Sequence, residues 1–390
     1  MIRAALLVLL FLPTFSLAQE TRRDESAQRA GRVTRQDLAA LVQVLDARLA
    51  GPLIDGSLQG DALRAANERF DRISIQFLGG RPERVATELE GWLEELEPAG
   101  AWRARRRPAR APLSRVRTAL NRIIDEAEAA GAKLDDASLR ILEARMELLV
   151  DAPSPGSSRE FLLSTPALAR ELAGEARRVA AGERPYALRT GDHWRTVAHG
   201  ERDLPLRVHR PAGLPADARP PLLVAFHGAG GDENFLFELA GDGHLKTLAD
   251  RHGFVVACPS TMDFMGDAAA FDALVADLSR DHAVDPERVF LFGHSMGTGP
   301  VAGIGAARPG RVAGAVAVAG FGTRAPEGPP TLVIAGEVDP IVRASGLRRA
   351  AEAAKGGPSE VAFEVLANQG HTLMLPAAME RAVTFLGLGD

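Results

Sequence analysis

Residues 293–297, with the sequence GHSMG, place a serine between two glycines at a spacing suited to nucleophilic chemistry. The apolar run 288–292 precedes them, and the glycine- and alanine-rich run 298–307 follows. Strand, G-x-S-x-G and helix in that order is the context of a nucleophile elbow, whose sharp turn excludes bulky neighbours and holds the serine hydroxyl out from a parallel sheet. The helix that begins there favours developing negative charge. Ser295 is therefore the candidate nucleophile.

A serine hydroxyl is a weak nucleophile unless a base takes its proton and an acid orients that base. Asp339 follows the apolar run 332–335, and His371 follows the apolar run 361–366. Both then lie past the carboxyl ends of strands, in the chain order serine, acid, histidine. Since glycine makes up 39 of the 390 residues, G-x-S-x-G alone arises by chance, and it is this ordered set that predicts a triad.

Two kinds of alternative residue are available for the triad. Glu337 lies two residues before Asp339 and is the alternative acid. Several other histidines precede or adjoin the serine and do not fit the expected order: His227, His244, His252, His282 and His294. His371, directly after a glycine at the end of the last predicted strand, is the preferred base.

An oxyanion hole needs two backbone N–H donors aimed at the developing charge. One is expected from Met296, directly after the nucleophile. The other is expected from the segment 227–231, with the sequence HGAGG, which follows the third predicted strand. Glycines in this segment let a substrate oxygen approach the backbone closely. Ala229 is the preferred donor there, with Gly228 or Gly230 as alternatives.

The elements that must position these residues occupy the second half of the chain, from about residue 188 to 390. There the apolar period changes from 3.6 to 2, and short apolar runs then alternate with helical stretches. The predicted strands are 194–198, 204–209, 222–226, 254–257, 289–292, 312–319, 331–335 and 361–366. The predicted helices are 235–252, 268–281, the segment after Ser295, and 344–354. This alternation predicts an α/β fold with a doubly wound, mostly parallel sheet.

Residues 34–182 follow a helical period and predict an all-α domain of unknown role. The helical stretches begin at Thr34 and continue as 61–77, 82–97, 113–130, 135–150 and 165–181, with residues 151–158 as a loop. Each has one apolar face and one face rich in Arg and Glu, which indicates an antiparallel bundle. We expect this half to pack mainly as its own bundle, joined through residues 182–191, so that residues 188–390 would fold and act alone.

The first eighteen residues are typical of a secretory signal peptide. Arg3 is followed by the apolar stretch 4–15 and by small residues at 16–18. The prediction is an exported protein, periplasmic or extracellular, whose mature chain begins near Gln19 with a polar lead-in over 19–33. The apolar stretch is short for a bilayer span, and no later segment is long and apolar enough for one.

Composition limits the possible partners and cofactors. The net charge is −5, which gives no reason to expect nucleic acid, and the basic run 103–110 is interpreted as a solvated linker. Cys258 is the single cysteine, so no intramolecular disulfide forms; at the end of a predicted strand it is expected to be a core residue. No spacing typical of metal ligands is present, and the proposed chemistry needs no cofactor.

Residues from about 200 to 390 resemble the α/β-hydrolase superfamily and, within it, the secreted esterases grouped with polyhydroxyalkanoate depolymerases and feruloyl esterases. The resemblance is carried by residues 221–231, 248–259, 284–297, 336–342 and 370–371. It implies an α/β-hydrolase fold and hydrolysis of a small or polymeric carboxylic ester through an acyl-enzyme. It also implies that the short connection 321–330 carries no large lid, although the helical half could cover the site.

Phe264 and Met265 follow the predicted strand 254–257 and are candidates to line the acyl or alcohol pocket. The alternative is that they anchor a surface loop through their apolar side chains. The sequence does not indicate the acyl-chain length, the oligomeric state, or any protein partner of the helical half.

Two other functions fit parts of the sequence. A serine peptidase of the prolyl-oligopeptidase type shares the triad order, but its usual β-propeller is not expected from a helical first half. A non-catalytic envelope binding or scaffold protein with a vestigial hydrolase domain would account for a long helical half without chemistry of its own. Chromogenic peptides and a fluorophosphonate probe separate these two from an esterase.

Overall fold

A computed structural model of the chain describes residues 33, 35–98, 100, 102, 113–148, 165–215, 217–322, 328–355 and 360–389. The predicted signal peptide, the predicted lead-in up to residue 32, the basic run 103–110 and the predicted loop 151–158 lie outside the described residues.

Eight strands form one sheet, in which the central strands are buried on both faces. They are β1 (Gly191–His199), β2 (Arg202–Arg210), β3 (Leu222–Phe226), β4 (Val255–Pro259), β5 (Val289–His294), β6 (Gly314–Val318), β7 (Thr331–Gly336) and β8 (Val361–Leu366). Their order across the sheet is β1-β2-β4-β3-β5-β6-β7-β8. Strand β2 is antiparallel to both of its neighbours, and all other neighbours are parallel. The predicted mostly parallel sheet is confirmed.

Helices precede the sheet and cover it. They are α1 (Arg35–Ile54), α2 (Gly60–Leu78), α3 (Pro82–Leu96), α4 (Leu113–Ala129), α5 (Asp136–Met146), α6 (Thr165–Ala180), α7 (Phe235–Glu238), α8 (His244–His252), α9 (Ala268–His282), α10 (Thr298–Ala307), α11 (Ala344–Ala354) and α12 (Leu375–Phe385). The sequence analysis did not predict α12. Pro376 in its first turn, a position that proline favours, is the signal that could have located it.

The prediction of one helix over residues 235–252 is wrong. Four successive residues between α7 and α8 have positive φ: Ala240 (59°), Gly241 (89°), Asp242 (54°) and Gly243 (74°). Residues with a side chain rarely adopt this conformation, so the turn needs support from outside itself. Asp46 on α1 provides it, because its carboxylate accepts the N–H of Gly241 at 3.0 Å and of Asp242 at 2.6 Å.

The described helices before β1 form two sets rather than one bundle. Helix α3 packs on both α1 and α2, and α1 also contacts α12. Helices α4, α5 and α6 build a second core that also includes Tyr186, in the segment that leads to β1, and Trp194 on β1. We call the part of the chain from β1 onward the sheet half. The chain from Thr34 to Asp390 is one compact unit. The structure therefore differs from the expectation that the helical half packs mainly by itself.

A buried ion pair joins two helices of the second set, and its arginine also bonds to the sheet. Arg145 on α5 is 2% exposed, and its Nε donates to the Glu175 carboxylate at 2.9 Å. The same guanidinium donates to the main-chain carbonyl of Trp194 on β1, and the Tyr186 hydroxyl donates to Glu175 at 2.9 Å. Because each partner satisfies the others, removing one leaves a buried charge without compensation.

We expect a chain that begins at residue 188 to be unfolded or insoluble. It lacks Asp46, which supports the turn between α7 and α8, and it exposes Trp194, which is 2% exposed in the full chain. A chain that begins at Gln19 is the matched control and should remain soluble and folded. Size-exclusion chromatography and circular dichroism compare the two. A soluble 188–390 chain that unfolds cooperatively would contradict the expectation.

Candidate functional site

The predicted strand–turn–helix context of Ser295 is present. Strand β5 ends at His294, residues Ser295–Gly297 form one turn of 3₁₀-helix, and α10 begins at Thr298. Ser295 has φ of 53°, in the left-handed region that a residue with a side chain rarely occupies. Such a conformation costs about 1–3 kcal/mol and persists only where the surrounding structure imposes it.

Close contacts between backbone atoms explain both glycines of the motif. A Cβ atom at Gly293 would overlap the carbonyl oxygen of Gly297, and a Cβ atom at Gly297 would overlap the carbonyl oxygen of Phe226 at the end of β3. Neither glycine has a positive φ. Glycine is therefore required at both positions for lack of space, because the turn packs directly against β3.

The structure brings the three predicted triad residues together. His371 Nε2 lies 3.0 Å from Ser295 Oγ, and His371 Nδ1 lies 2.8 Å from Asp339 Oδ2. The other oxygen of Asp339 accepts the N–H groups of Ile341 and Val342 at 2.7 and 2.8 Å, which fixes the carboxylate. With Asp339 accepting from Nδ1–H, the lone pair of Nε2 faces the serine hydroxyl.

The alternative acid, Glu337, contacts the backbone of a loop and not His371. Its carboxylate accepts the N–H of Asn368 at 2.8 Å, so it braces the loop after β8. The base next to Ser295 therefore contacts Asp339 and not Glu337.

His227 holds the glycine-rich loop after β3 in place. Its Nε2 accepts the N–H of Thr261 at 3.0 Å, and its Nδ1–H donates to the Gly228 carbonyl at 2.8 Å. The Thr261 hydroxyl donates to the His227 carbonyl at 2.9 Å. These bonds tie the loop to the segment after β4.

The two segments predicted to supply oxyanion donors adjoin the nucleophile. A Cβ atom at Gly228 would lie 3.2 Å from Ser295 Cβ, so the loop passes directly beside the serine. Met296 lies in the first turn after Ser295, where backbone N–H groups have no intrahelical acceptor. Ala229 is exposed and follows Gly228. The choice among Ala229, Gly228 and Gly230 as second donor stays a prediction.

His294, which does not fit the chain order expected of the base, contacts His371. Burial, together with the nearby His371, lowers the pKa of His294 to about 3, so its imidazole is neutral. Its Nε2–H donates to the His371 carbonyl at 2.9 Å. The ring stacks on Phe235 with a centroid distance of 6.3 Å and contacts the His371 ring at 4.9 Å.

Helix α2 contributes two residues to the loop that carries His371, and the sequence analysis missed both. Asp71 Oδ2 accepts the backbone N–H of His371 at 2.7 Å, and Asn67 Oδ1 accepts that of Gly370 at 2.7 Å. The Asn67 amide also donates to the Gln369 side chain at 3.2 Å. Asn67 and Asp71 are one helical turn apart and share a face. Two polar residues on the apolar face of a helix were the signal available in the sequence.

Asp71 is a buried carboxylate with an altered pKa. Burial raises the pKa of Asp71 to about 6, and the nearby Asp339 adds to that rise, while the bond from the His371 N–H and the charge of His371 oppose it. Asp71 is fully buried, and its Oδ1 has no hydrogen-bond partner among the described residues.

A cavity of about 280 Å³ opens beside Ser295 and His371. Its far wall belongs to α1 and α2, with Leu38, Val42, Phe70, Ile73 and Phe77 among its lining side chains. Phe264 and Met265, which the sequence suggested for the pocket, do not line this cavity. Phe264 is 1% exposed and packs on Phe226 in the core, and Met265 is 40% exposed.

Within the described parts of the chain, no group of three or more His, Cys, Asp or Glu side chains is arranged to hold a metal ion. None of the helices that the structure describes is both long enough and apolar enough to cross a membrane. Cys258 on β4 is buried, as predicted, and burial raises the pKa of its thiol.

No protein-family model matches the chain. Two curated proteins are similar to parts of it. A bifunctional acetylxylan esterase/xylanase from Neocallimastix patriciarum is 33% identical over an alignment of 100 residues, which covers 24% of this chain and 14% of that protein. A poly(3-hydroxyalkanoate) depolymerase C from Paucimonas lemoignei is 28% identical over an alignment of 136 residues, which covers 30% of this chain and 31% of that protein. The chain spans less than a third of the length of either relative.

Two solved structures are also similar. A thermostable esterase has 20% identity and a TM-score of 0.43, with coverage of 50% of this chain and 62% of that one. An S-formylglutathione hydrolase from Agrobacterium tumefaciens has 16% identity and a TM-score of 0.42, with coverage of 52% of this chain and 96% of that one. The two curated relatives agree with the resemblance to esterases and polyhydroxyalkanoate depolymerases in the sequence.

We expect Asp71→Asn to gain stability relative to the wild type as pH rises. The folded-state pKa is about 6 against an ordinary value of 3.8, so the folded protein binds this proton more tightly than the unfolded chain. Above pH 6 the wild type must bury a charge that asparagine lacks. The difference in unfolding free energy, variant minus wild type, should increase by about 1–2 kcal/mol between pH 4.5 and 8.

Urea unfolding at the two pH values measures that difference. Glu68→Gln removes one negative charge from an exposed position on the same helix and is the matched control. Its difference from the wild type should stay the same at both pH values. A pH-independent difference for Asp71→Asn would contradict the raised pKa.

Proposed function

We propose that this chain, an α/β-hydrolase by its fold, is a serine esterase that cleaves carboxylic esters. The observation that carries the proposal is the continuous hydrogen-bonded path from Ser295 to His371 and on to Asp339, with distances of 3.0 and 2.8 Å. Partial similarity to an acetylxylan esterase and to a polyhydroxyalkanoate depolymerase supports esters as the substrate class.

In the first half-reaction, Ser295 Oγ forms a bond to the acyl carbon of the ester while His371 Nε2 takes the hydroxyl proton. The carbonyl oxygen becomes an oxyanion, which accepts hydrogen bonds from the N–H groups of Met296 and Ala229. Asp339 stabilises the imidazolium that forms and keeps its ring oriented. The tetrahedral intermediate then collapses, the bond to the alcohol oxygen breaks, and His371 returns its proton to the leaving alcohol.

In the second half-reaction, a water molecule attacks the acyl-enzyme. His371 takes one proton of that water, the new C–O bond forms, and the bond between Ser295 Oγ and the acyl carbon breaks. The proton passes from His371 to Ser295, and the carboxylic acid leaves. The left-handed backbone of Ser295 and the Gly228 loop hold the reacting groups for both steps without further rearrangement.

His294, Asn67 and Asp71 act on this reaction through the position of His371. His294 donates to the His371 carbonyl, and Asp71 accepts the His371 N–H. Asn67 accepts the N–H of the preceding residue. Since a misplacement of about 1 Å can cost 100-fold in rate, this bracing has a direct bearing on turnover. The signal-like residues 1–18 support export, so the ester would be met outside the cytoplasm.

We expect Ser295→Ala to lower kcat on p-nitrophenyl acetate by about 10³-fold or more, since the nucleophile is lost while the fold is kept. Ser57→Ala, at an exposed loop serine, is the matched control and should retain wild-type turnover. A fluorophosphonate probe should label the wild type and the control but not Ser295→Ala. Equal turnover by Ser295→Ala and wild type would contradict the proposal, and cleavage of chromogenic peptides in preference to esters would favour a peptidase.

A further inference from the structure

The wall of the cavity opposite Ser295 is apolar and comes from the helical half. Val42 on α1 and Phe70, Ile73 and Phe77 on α2 line it together with Leu38. A Cβ atom at Gly230 would lie 3.0 Å from Phe77 Cε1, so this ring packs on the loop of the proposed oxyanion donors. The apolar wall therefore begins directly beside the reacting carbonyl.

The charges of the lining disfavour an anionic guest. Among the described residues that line the cavity there is no Lys or Arg, and the one carboxylate is Asp232. Asp232 Oδ1 accepts the backbone N–H of Asn234 at 3.0 Å. An anionic group would lose its hydration without gaining a cation, whereas an aliphatic group would gain the burial of apolar surface.

The size of the cavity sets the length of that group. A methylene is similar in size to a water molecule, whose share of liquid volume is about 30 Å³. The cavity of about 280 Å³ thus accommodates a chain of about nine carbons. An acetyl group would leave most of it empty, and a long-chain lipid would exceed it.

We propose that the cavity binds an uncharged aliphatic chain of about six to ten carbons belonging to the ester, with α1 and α2 as its binding wall. The proposal rests on the proposed function at Ser295. It gives the helical half a role in substrate selection. The chain comes from either side of the ester bond, the acyl group or the alcohol, and the substrates below distinguish the two.

Ala39 on α1 lines the cavity and is half-buried, so Ala39→Phe adds a phenyl ring to the space for the chain. Ala47→Phe makes the same change at an exposed position on the same helix and is the matched control. For the wild type, kcat/KM should rise at least about tenfold from p-nitrophenyl acetate to the octanoate, since each buried methylene contributes a factor of about four at most. Ala39→Phe should lower the octanoate-to-acetate ratio about tenfold or more, and Ala47→Phe should leave it unchanged.

Enlarging the cavity gives a second, opposite test. Val42→Ala should move the preferred acyl length from octanoate towards dodecanoate. The proposal is overturned if the octanoate is preferred but the ratio is unchanged in Ala39→Phe. It is also overturned if the wild type cleaves acyl esters of all lengths equally and shows no preference for octyl acetate over ethyl acetate. Circular dichroism and the melting temperature of each variant report that the protein is folded.

Ethyl octanoate and octyl acetate are isomers that place the same chain on opposite sides of the ester bond. A pH-stat comparison of the two shows which side occupies the cavity: preference for ethyl octanoate assigns the acyl group, and preference for octyl acetate assigns the alcohol. In either case Ala39→Phe should abolish the preference. Equal cleavage of both isomers, at the rate of ethyl acetate, would overturn the proposal.

Binding to Ser295→Ala separates this proposal from the proposed function, because that variant has no nucleophile. Calorimetry should detect the preferred isomer, ethyl octanoate or octyl acetate, binding at least about tenfold tighter than ethyl acetate, and the further change Ala39→Phe should remove the difference. If the wild type hydrolyses no ester but one of the two isomers still binds in this way, the cavity assignment stands and the esterase proposal fails. If acetate esters are hydrolysed but neither isomer binds better than ethyl acetate, the reverse holds.

Discussion

The position of His371 depends on hydrogen bonds from four separate elements. Its ring lies between Ser295 and Asp339, its carbonyl accepts from His294, and its N–H donates to Asp71 on α2. The first three partners come from the sheet half and the last from the helical half. A loop after the last strand has no ladder of its own to fix it, so these bonds determine its conformation. The docking of α2 on the sheet half is thus tied to the geometry at the serine.

The same device occurs twice where the first helical set meets the sheet half. Asp46 on α1 and Asp71 on α2 are buried carboxylates that accept backbone N–H groups from turns of the other half. Burial raises the pKa of each to about 6, which shows that the ionised forms are held at a cost. Removing such a carboxylate leaves backbone N–H groups without an acceptor, at a cost of about 1–3 kcal/mol for each one that is buried. The contribution of the two carboxylates is to fix the register of the two helices on the sheet half, while the apolar faces contribute the main free energy of association.

The elbow and the cavity are linked through the same helices. The turn at Ser295 has its left-handed conformation because Gly293, Gly297 and β3 crowd together, and this places the hydroxyl beside the loop that follows β3. Phe77 packs on that loop from the helical side. A sheet of this kind ends at its carboxyl edge in an open crevice, and α1 and α2 convert part of it into an apolar cavity. The geometry at Ser295 is thus combined with a wall that belongs to a separate part of the chain.

The sequence by itself determined the parallel sheet, the elbow, and the residues Ser295, Asp339 and His371, because each follows from a local pattern and from its order along the chain. Only the tertiary structure decided which residues brace His371 and which line the cavity. The contact between Asp71 and His371 joins residues 300 positions apart, and no local period encodes it. Two other features were missed because each depends on a residue far away in the sequence. The turn at Ala240–Gly243 is stabilised by an acceptor on α1, and Phe264 is buried because it packs on Phe226. The pattern of residues along a chain indicates which face of a helix or strand is apolar. What that face contacts is determined only when distant elements pack together.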